Sequence, residues 1–127
     1  MAFTGLSDMA DRPAAALTLA RRKRLELAKS LAMKPRLLML DEVNAGLNPT
    51  EVDEALGIVR KIAAMGVTII VIEHLMKVVL SISHRLVVLH HGQMIAQGPP
   101  REVVGDKRVI EAYLGAKYAA QNPGGAP

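Results

Sequence analysis

Two pairs of polar residues stand directly after apolar runs in this sequence, and their side chains could carry chemistry. Asp41-Glu42 follows the run at 37–40, and Glu73-His74 follows the run at 67–72. If the two runs are neighbouring parallel strands, both pairs lie at the carboxyl ends of the strands, where ligands gather in such sheets. Carboxylates and an imidazole would then converge on one site.

The apolar runs themselves predict the elements that position these pairs. The run at 37–40 and the longer run at 67–72 are short and continuous, which is typical of strands buried on both faces. A helical pattern separates them. Strand, helix, strand with continuous apolar strands predicts a parallel βαβ unit, and therefore an α/β fold.

The helix between the strands has clear boundaries. Asn48 can cap it, Pro49 suits the first helical position, and Glu51 completes a capping pattern. Gly66 is placed to end it. Its expected buried stripe consists of Val52, Leu56, Val59 and Ile62, accompanied by Ala55 and Ala63.

The remaining elements are short. A helix with a basic outer face is predicted over about 20–33, after an N-terminal turn and a loop broken at Pro13. His91-Gly92 predicts a hairpin turn between two strands. The other expected segments are a helix over 75–81, strands over 85–90 and 93–96, helices over 100–104 and 107–114, and a disordered tail over 117–127.

Composition excludes several classes of function. The chain has 127 residues, half of them hydrophobic, and no cysteine, which excludes disulfides, thiol catalysis and Cys-ligated metals. No apolar run reaches the length of a membrane span, and no signal-peptide pattern opens the chain. Much of the net charge of +4 comes from residues 21–24, which favours a solvated helix face over a phosphate or nucleic-acid contact. Only 2% of residues are aromatic, so nucleic acid is not an expected partner.

Four hydrophobic residues followed by Asp41-Glu42 form the Walker B pattern. In P-loop NTPases such an aspartate helps to hold the magnesium that bridges the nucleotide phosphates. Glu42 would then be placed to polarise an attacking water. The alternative interpretation of the same residues is a strand followed by an acidic loop without a catalytic role.

A longer stretch resembles one family. Residues 41–49, Asp-Glu-Val-Asn-Ala-Gly-Leu-Asn-Pro, resemble the Walker B and D-loop of ATP-binding-cassette (ABC) ATPases, most closely the subunits that power branched-chain amino-acid importers. Ile72-Glu73-His74 is similar to the switch histidine segment of that family. Residues 85–98, 99–103 and 109–115 are similar to its closing strands and its C-terminal segment.

The resemblance implies a function and a set of site residues. Residues 1–116 would be the C-terminal half of an ABC nucleotide-binding domain that uses ATP and Mg. Glu42 would be the catalytic base, His74 a γ-phosphate sensor and Asp41 the magnesium-associated carboxylate. The D-loop residues would be Ala45, Gly46, Leu47 and Asn48. The implied partners are a second ATP-binding subunit, membrane permease subunits and, indirectly, a solute-binding protein, with the chain cytoplasmic and peripheral on the inner face of the cell membrane.

The signature loop of that family, usually Leu-Ser-Gly-Gly-Gln, is altered here. The matching residues are Leu17, Thr18, Leu19, Ala20 and Arg21. The last four would face the nucleotide held by the opposing subunit. Thr18 keeps a hydroxyl, but the glycines that let a backbone approach phosphate closely are replaced.

The phosphate-binding loop is the larger departure. The sequence contains no G-x-x-x-x-G-K-[ST] and no Gly-Lys pair, so it lacks the backbone cradle and lysine that hold the phosphates. We therefore expect the chain by itself to bind Mg-ATP weakly and to be inactive. An alternative function follows, namely a non-catalytic truncated or split cassette that acts as an interaction module with an intact ATPase subunit.

Overall fold

The structure of the protein, a computed structural model, describes residues 2–113. These residues belong to two compact units, which divide between Val78 and Val79. Each unit contains its own strand pair, parallel in the first and antiparallel in the second. Among the described residues, none of the helices has both the length and the apolar character needed to cross a bilayer.

The first unit opens with three single turns of 3-10 helix at Ala2–Thr4, Ser7–Met9 and Ala14–Ala16. Helix α1 follows at Leu19–Ala32. Its N-cap is Thr18, whose hydroxyl accepts from the Arg21 N–H at 3.4 Å. After the helix, Lys34 takes a left-handed conformation with φ of +52° and donates its N–H to the Leu31 carbonyl, which ends α1 before Pro35.

The predicted βαβ unit is present. Strand β1 spans Leu37–Asp41, helix α2 spans Pro49–Ala64 and strand β2 spans Thr68–Ile72. The strands pair in parallel, with Leu37 opposite Thr68 and Asp41 opposite Ile72. Because the first residues of the two strands pair with each other and so do the last, both strands end at the same edge of the sheet.

Local sequence determines the ends of α2 as expected. The Asn48 side chain accepts the Glu51 N–H, and the Glu51 carboxylate accepts the Asn48 N–H, both at 3.0 Å. Gly66, with φ of +88°, follows the C-cap residue Met65 and donates to the Ala63 carbonyl. The buried residues of the helix are Leu56, Ile58, Val59 and Ile62.

The prediction that both strands are buried on both faces is wrong. In β1, Leu38 and Leu40 are buried, whereas Leu37 and Met39 are 50% and 61% exposed. In β2, Ile70 is 44% exposed and Ile72 is similarly open. Successive strand residues point to opposite faces, so the two-stranded sheet is covered on one face and leaves the apolar side chains of the other face in solvent.

The second unit is built around a hairpin. Helix α3, Met76–Ile82, crosses the division between the units, and strands β3, Leu86–His90, and β4, Gln93–Gly98, pair antiparallel. His91 and Gly92 have φ of +47° and +74°, the two positive values that a two-residue type I′ turn requires. Helix α4 spans Pro100–Val103, and residues 107–113 are also helical.

The core of the second unit consists of Leu86, Val103 and Val109. Partly buried side chains of α3, β3 and β4 pack against it, including Val79, Val88 and Ile95. The predicted end of the last helix at residue 114 and the predicted tail over 117–127 lie outside the described residues.

Candidate functional site

The two polar pairs meet at the carboxyl edge of the parallel sheet. The Glu42 N–H donates to the Ile72 carbonyl at 3.0 Å and so adds one more rung after β1. His74 is the second residue after the end of β2, and its Nδ1 lies 3.1 Å from the Glu42 Oε1. Of the expected convergence of carboxylates and an imidazole, one contact is present, that of Glu42 with His74.

Glu42 has an unusual backbone. Its φ is +46°, a left-handed conformation that costs a residue other than glycine about 1–3 kcal/mol. Surrounding bonds hold it there: its carbonyl accepts the Ala45 N–H at 3.1 Å and the Lys23 Nζ at 3.5 Å, in addition to the rung to Ile72. Strain of this kind persists where its surroundings over-determine the conformation, and it is enriched at active sites.

The contact between Glu42 and His74 is open to solvent. The exposed fractions of their side chains are 52% and 69%. At this exposure an ion pair adds at most about 1 kcal/mol to stability. The pair has more to offer as a chemical group. With a hydrogen on Nδ1 donated to Glu42, the Nε2 of a neutral His74 ring is an acceptor, whereas a protonated ring would have a second N–H to donate there.

The segment that resembles a D-loop is a pair of overlapping turns. The Ala45 N–H donates to Glu42, and the Leu47 N–H donates to the Asn44 carbonyl at 3.2 Å. Gly46 has φ of +78°, and Asn48 caps α2. The four predicted D-loop residues therefore lie in the short connection that carries Glu42 at one end and begins α2 at the other.

Asn44 and Glu73 form a second contact between the strand ends. The Asn44 side chain is buried, with 3% of the residue exposed, and its Nδ2 donates to the Glu73 Oε1 at 2.9 Å. Sequence reasoning placed Glu73 at this edge but gave Asn44 no role. No local feature of the sequence marks Asn44, because its partner is 29 residues away.

The altered signature residues form the start of α1. Thr18 is its N-cap, and Leu19, Ala20 and Arg21 make its first turn. Leu19 lies against Gly46, and Ala20 lines a small apolar cavity. The Arg21 guanidinium lies 3.3 Å from the Met9 Sδ and 3.9 Å from the Asp8 carboxylate, so its charge is turned toward the N-terminal segment.

The basic run at 21–24 is used for contacts within the first unit. Arg24 pairs with Glu54 of α2, and Lys23 reaches the Glu42 carbonyl. The expectation of a solvated face therefore holds fully for Arg22 alone among the four, as Arg22 is exposed and the other three are partly buried. Lys23 is a site neighbour that sequence reasoning missed, because the run was interpreted as a single charged face.

Asp41 is the last residue of β1 and is exposed at the carboxyl edge. Over residues 2–113, no three acidic or histidine side chains gather into a ready-made metal cage. The Asp41 carboxylate is an oxygen donor of the kind that magnesium takes in proteins, commonly one or two carboxylates with substrate phosphates and water completing the shell. Asp41 is therefore suited to a magnesium that arrives with a nucleotide.

Comparison with known proteins places this geometry in a family. The family model described as "Branched-chain amino acid ATP-binding cassette transporter" matches residues 93–119. The high-affinity branched-chain amino acid transport ATP-binding protein BraF of Pseudomonas aeruginosa is 42% identical over 111 residues, which are 87% of this chain and 44% of BraF. The lipopolysaccharide export system ATP-binding protein LptB of Acidithiobacillus ferridurans is 37% identical over 97 residues, 76% of this chain and 40% of LptB.

The solved structures agree. The ADP conformation of an ATP-binding cassette of an ABC transporter superposes with a TM-score of 0.82 at 32% identity, over 90% of this chain and 46% of that one. The chain belongs to the family of ABC ATP-binding proteins. It spans less than half the length of the ABC relatives it matches. Its parallel βαβ core is that of the C-terminal half of an ABC-type P-loop NTPase domain, and its sequence is similar to the branched-chain amino-acid subunits of the family.

Proposed function

We propose that this chain carries the hydrolytic carboxylate and the switch histidine of an ATP-hydrolysing ABC importer subunit. One observation supports this most strongly. Glu42 is held in a left-handed conformation at the carboxyl end of β1, and its carboxylate meets the His74 Nδ1 at 3.1 Å. A strained, exposed carboxylate in contact with an imidazole has little value for stability, so a chemical role accounts for it better.

Each residue of the edge has a distinct role in this proposal. Glu42 accepts a proton from the attacking water, as a general base within hydrogen-bond reach. A protonated His74 would donate to the terminal phosphate from Nε2 while its Nδ1–H is donated to Glu42. Asp41 would hold magnesium, which when bound neutralises charge on the nucleotide phosphates.

The remaining proposed contacts lie on either side of this edge. Thr18, Leu19, Ala20 and Arg21 form the start of α1 and would face nucleotide held by an opposing ATP-binding subunit. Ala45, Gly46, Leu47 and Asn48 would line the same boundary. The solved ATP-binding cassette that superposes on this chain is an ADP conformation, and this supports ATP as the nucleotide.

The transported solute and the partners follow from the relatives. BraF is a branched-chain amino acid transport protein by name, and the family model over 93–119 carries the same description. We infer that the solute is a branched-chain amino acid. The partners would then be permease subunits in the membrane and, indirectly, a solute-binding protein, with this subunit on the cytoplasmic face.

A second candidate function has an observation of its own. The sequence has no G-x-x-x-x-G-K-[ST], the loop that cradles phosphates. A cassette piece that pairs with an intact ATPase subunit, without hydrolysing ATP itself, would need no such loop. In both functions the 127-residue chain alone binds Mg-ATP weakly, and a micromolar Kd, about −8 kcal/mol, would contradict both.

The test of the first function supplies the phosphate loop. The chain is co-expressed with the N-terminal part of BraF, and ATP hydrolysis and nucleotide binding are measured for the assembly. Glu42→Gln should keep binding and lower turnover roughly 10²–10⁴-fold, because the amide preserves shape but cannot accept the proton. Asp41→Asn should weaken the dependence on magnesium, and His74→Ala should slow hydrolysis.

The matched control is Glu26→Gln, which removes an exposed carboxylate that pairs with Lys29 on α1. Its turnover should equal that of the unmutated assembly. If Glu42→Gln and His74→Ala also turn over at that rate, the polar edge is structural. The interaction module would then be the correct function.

A further inference from the structure

A buried hydrogen bond lies beside the exposed contact of Glu42 with His74. Asn44, two residues after Glu42, donates from Nδ2 to the Glu73 Oε1, one residue before His74. Asn44 is 3% exposed, and Glu73 is partly buried. Besides the backbone bond from Glu42 to Ile72, two side-chain contacts thus join the strand ends, one in solvent between Glu42 and His74 and one inside the protein.

The second carboxylate oxygen of Glu73 binds the backbone of His74 and lies near that of Leu75. Its Oε2 accepts the His74 N–H at 3.2 Å and lies 3.5 Å from the Leu75 N–H. A continuous chain of contacts therefore runs from Asn44 through the Glu73 carboxylate to the main chain of His74. Because Asn44 and Glu42 also share one turn, a shift of Asn44 would change the spacing between Glu42 and His74.

Stability alone does not explain why an asparagine occupies position 44. Its Oδ1 is buried without a hydrogen-bond partner in the described part of the chain. A buried polar atom without a partner is destabilising, whereas leucine would fill a similar volume with no polar atom. What asparagine provides and leucine cannot is the N–H donated to Glu73.

We propose that Asn44 and Glu73 are positioning residues that hold His74 at hydrogen-bond distance from Glu42, an inference that rests on the hydrolytic function proposed above. The exposed contact of Glu42 with His74 is too weak to fix its own geometry. The buried contact does so in its place. Neither Asn44 nor Glu73 is assigned a contact with nucleotide.

The first test needs no nucleotide and uses the 127-residue chain. Amide hydrogen exchange of His74 and Leu75 is followed by NMR in the unmutated chain, Asn44→Asp, Glu73→Gln and the double variant. Asn44→Asp places two carboxylates together, and exchange at both amides should accelerate at least tenfold. Glu73→Gln restores a donor opposite the new carboxylate, so the double variant should return to within about threefold of the unmutated rates.

Glu73→Ala covers the case in which Asn44→Asp fails to fold. Glu73 is less buried than Asn44, and its removal should accelerate exchange at His74 and Leu75 while leaving the amides of α2 unchanged. Equal exchange at His74 in Glu73→Ala and in the unmutated chain would overturn the inference. The hydrolytic function would still stand in that case.

The second test separates positioning from a merely structural role. In the assembly completed with the N-terminal part of BraF, Asn44→Asp should lower kcat at least tenfold with the KM for ATP unchanged, and added Glu73→Gln should recover it. In the Glu42→Gln background, Asn44→Asp should cause no further loss, because positioning acts through Glu42. An additive loss there, or a raised KM with unchanged kcat, would overturn the inference.

Discussion

Leu19 lies so close to Gly46 that a methyl group on Gly46 would be 2.9 Å from the Leu19 Cδ2. Leu19 is the first residue of α1 and stands at a position where the signature loop of the family usually has glycine. Gly46 is one of the predicted D-loop residues and has φ of +78°. The start of α1 is therefore packed against the turn that contains Gly46, and a side chain at position 46 would require Leu19 to shift.

The first prediction concerns Gly46→Ala. The substitution combines a left-handed backbone, which costs about 1–2 kcal/mol in an L-residue, with a contact too short for carbon atoms. Gly66→Ala is the matched control, because Gly66 also has a positive φ but has open space where its Cβ would be. We expect Gly46→Ala to lose more unfolding free energy than the control, by up to about 1 kcal/mol, because the Leu19 Cδ2 must shift but ends a flexible side chain that is 44% exposed.

Denaturant titration of both variants measures the difference. In the double variant Leu19→Ala, Gly46→Ala, the loss of unfolding free energy attributable to Gly46→Ala should fall to that of the Gly66→Ala control. Leu19→Ala removes the clashing methyl group, so only the cost of the left-handed backbone remains. Equal destabilisation of Gly46→Ala and Gly66→Ala would show that Leu19 moves aside without cost.

Gly57→Ala is predicted to stabilise the chain. Gly57 lies inside α2, and an added Cβ would meet nothing within 4 Å. Alanine in a helix interior is favoured over glycine by about 0.5–1 kcal/mol, largely because glycine has more backbone freedom to lose. Thermal unfolding should show a higher Tm, and an unchanged or lower Tm would mean that α2 requires the glycine for a contact beyond residues 2–113.

Local chemistry explains what the sequence could predict. The boundaries of α2 depend on Asn48, Glu51 and Gly66, all within a few residues of the turns that they form. The hairpin depends on His91-Gly92 in the same way. The carboxyl-edge position of Glu42 and His74 followed from the βαβ order, because parallel strands end at one edge of a sheet.

The features that the sequence could not predict depend on contacts between residues far apart in the chain, or on whether other elements pack over a given face of the sheet. The contact of Asn44 with Glu73 spans 29 positions, and that of Lys23 with Glu42 spans 19. The prediction that β1 is buried on both faces failed because an apolar run shows which side chains would tolerate burial, not which of them are covered. Met39 is the clearest case, since it is apolar and 61% exposed.

A third prediction concerns pH and the helical segment at 107–113. Bidentate hydrogen bonds from the Arg108 guanidinium, at 3.2 and 2.8 Å, hold the pKa of the Asp106 carboxyl below its ordinary value, and the Arg108 N–H adds to the effect. A lowered carboxyl pKa stabilises the folded state above the ordinary value near 3.9 and loses that contribution as pH falls through the lowered value.

Arg108→Ala should therefore raise the pKa of Asp106 toward its ordinary value, as followed by a carbon-13 NMR titration of the carboxyl. Lys107→Ala is the matched control, because Lys107 is the adjacent cation and pairs with Glu111 instead. An Asp106 pKa that is the same in Arg108→Ala and in the unmutated chain would show that the guanidinium is not its main partner.

The open face of the parallel sheet leads to a fourth prediction. Met39 and Ile70 are directly opposite each other on it, next to the exposed Leu37. Exposed apolar surface of this kind favours association, so the chain by itself should associate with further copies at micromolar concentration. Analytical ultracentrifugation should show a shift toward monomer in Met39→Lys.

Met33→Lys is the control for that measurement. Met33 is 77% exposed but follows the end of α1 and is not on the sheet, so its substitution should leave association unchanged. A sharp monomer of the unmutated chain, with cooperative melting, would show that the open face is tolerated in water.

The left-handed backbone of Glu42 places stability and activity in opposition at one position. Asparagine adopts positive φ more readily than glutamate does, and it lacks the reach to His74 that the longer carboxylate has. Glu42→Asn should therefore keep or raise the Tm of the chain while it abolishes hydrolysis in the completed assembly. A lineage released from the need to hydrolyse ATP would be free to replace Glu42 without loss of folding, so the residue found there in related proteins would report whether hydrolysis is still under selection.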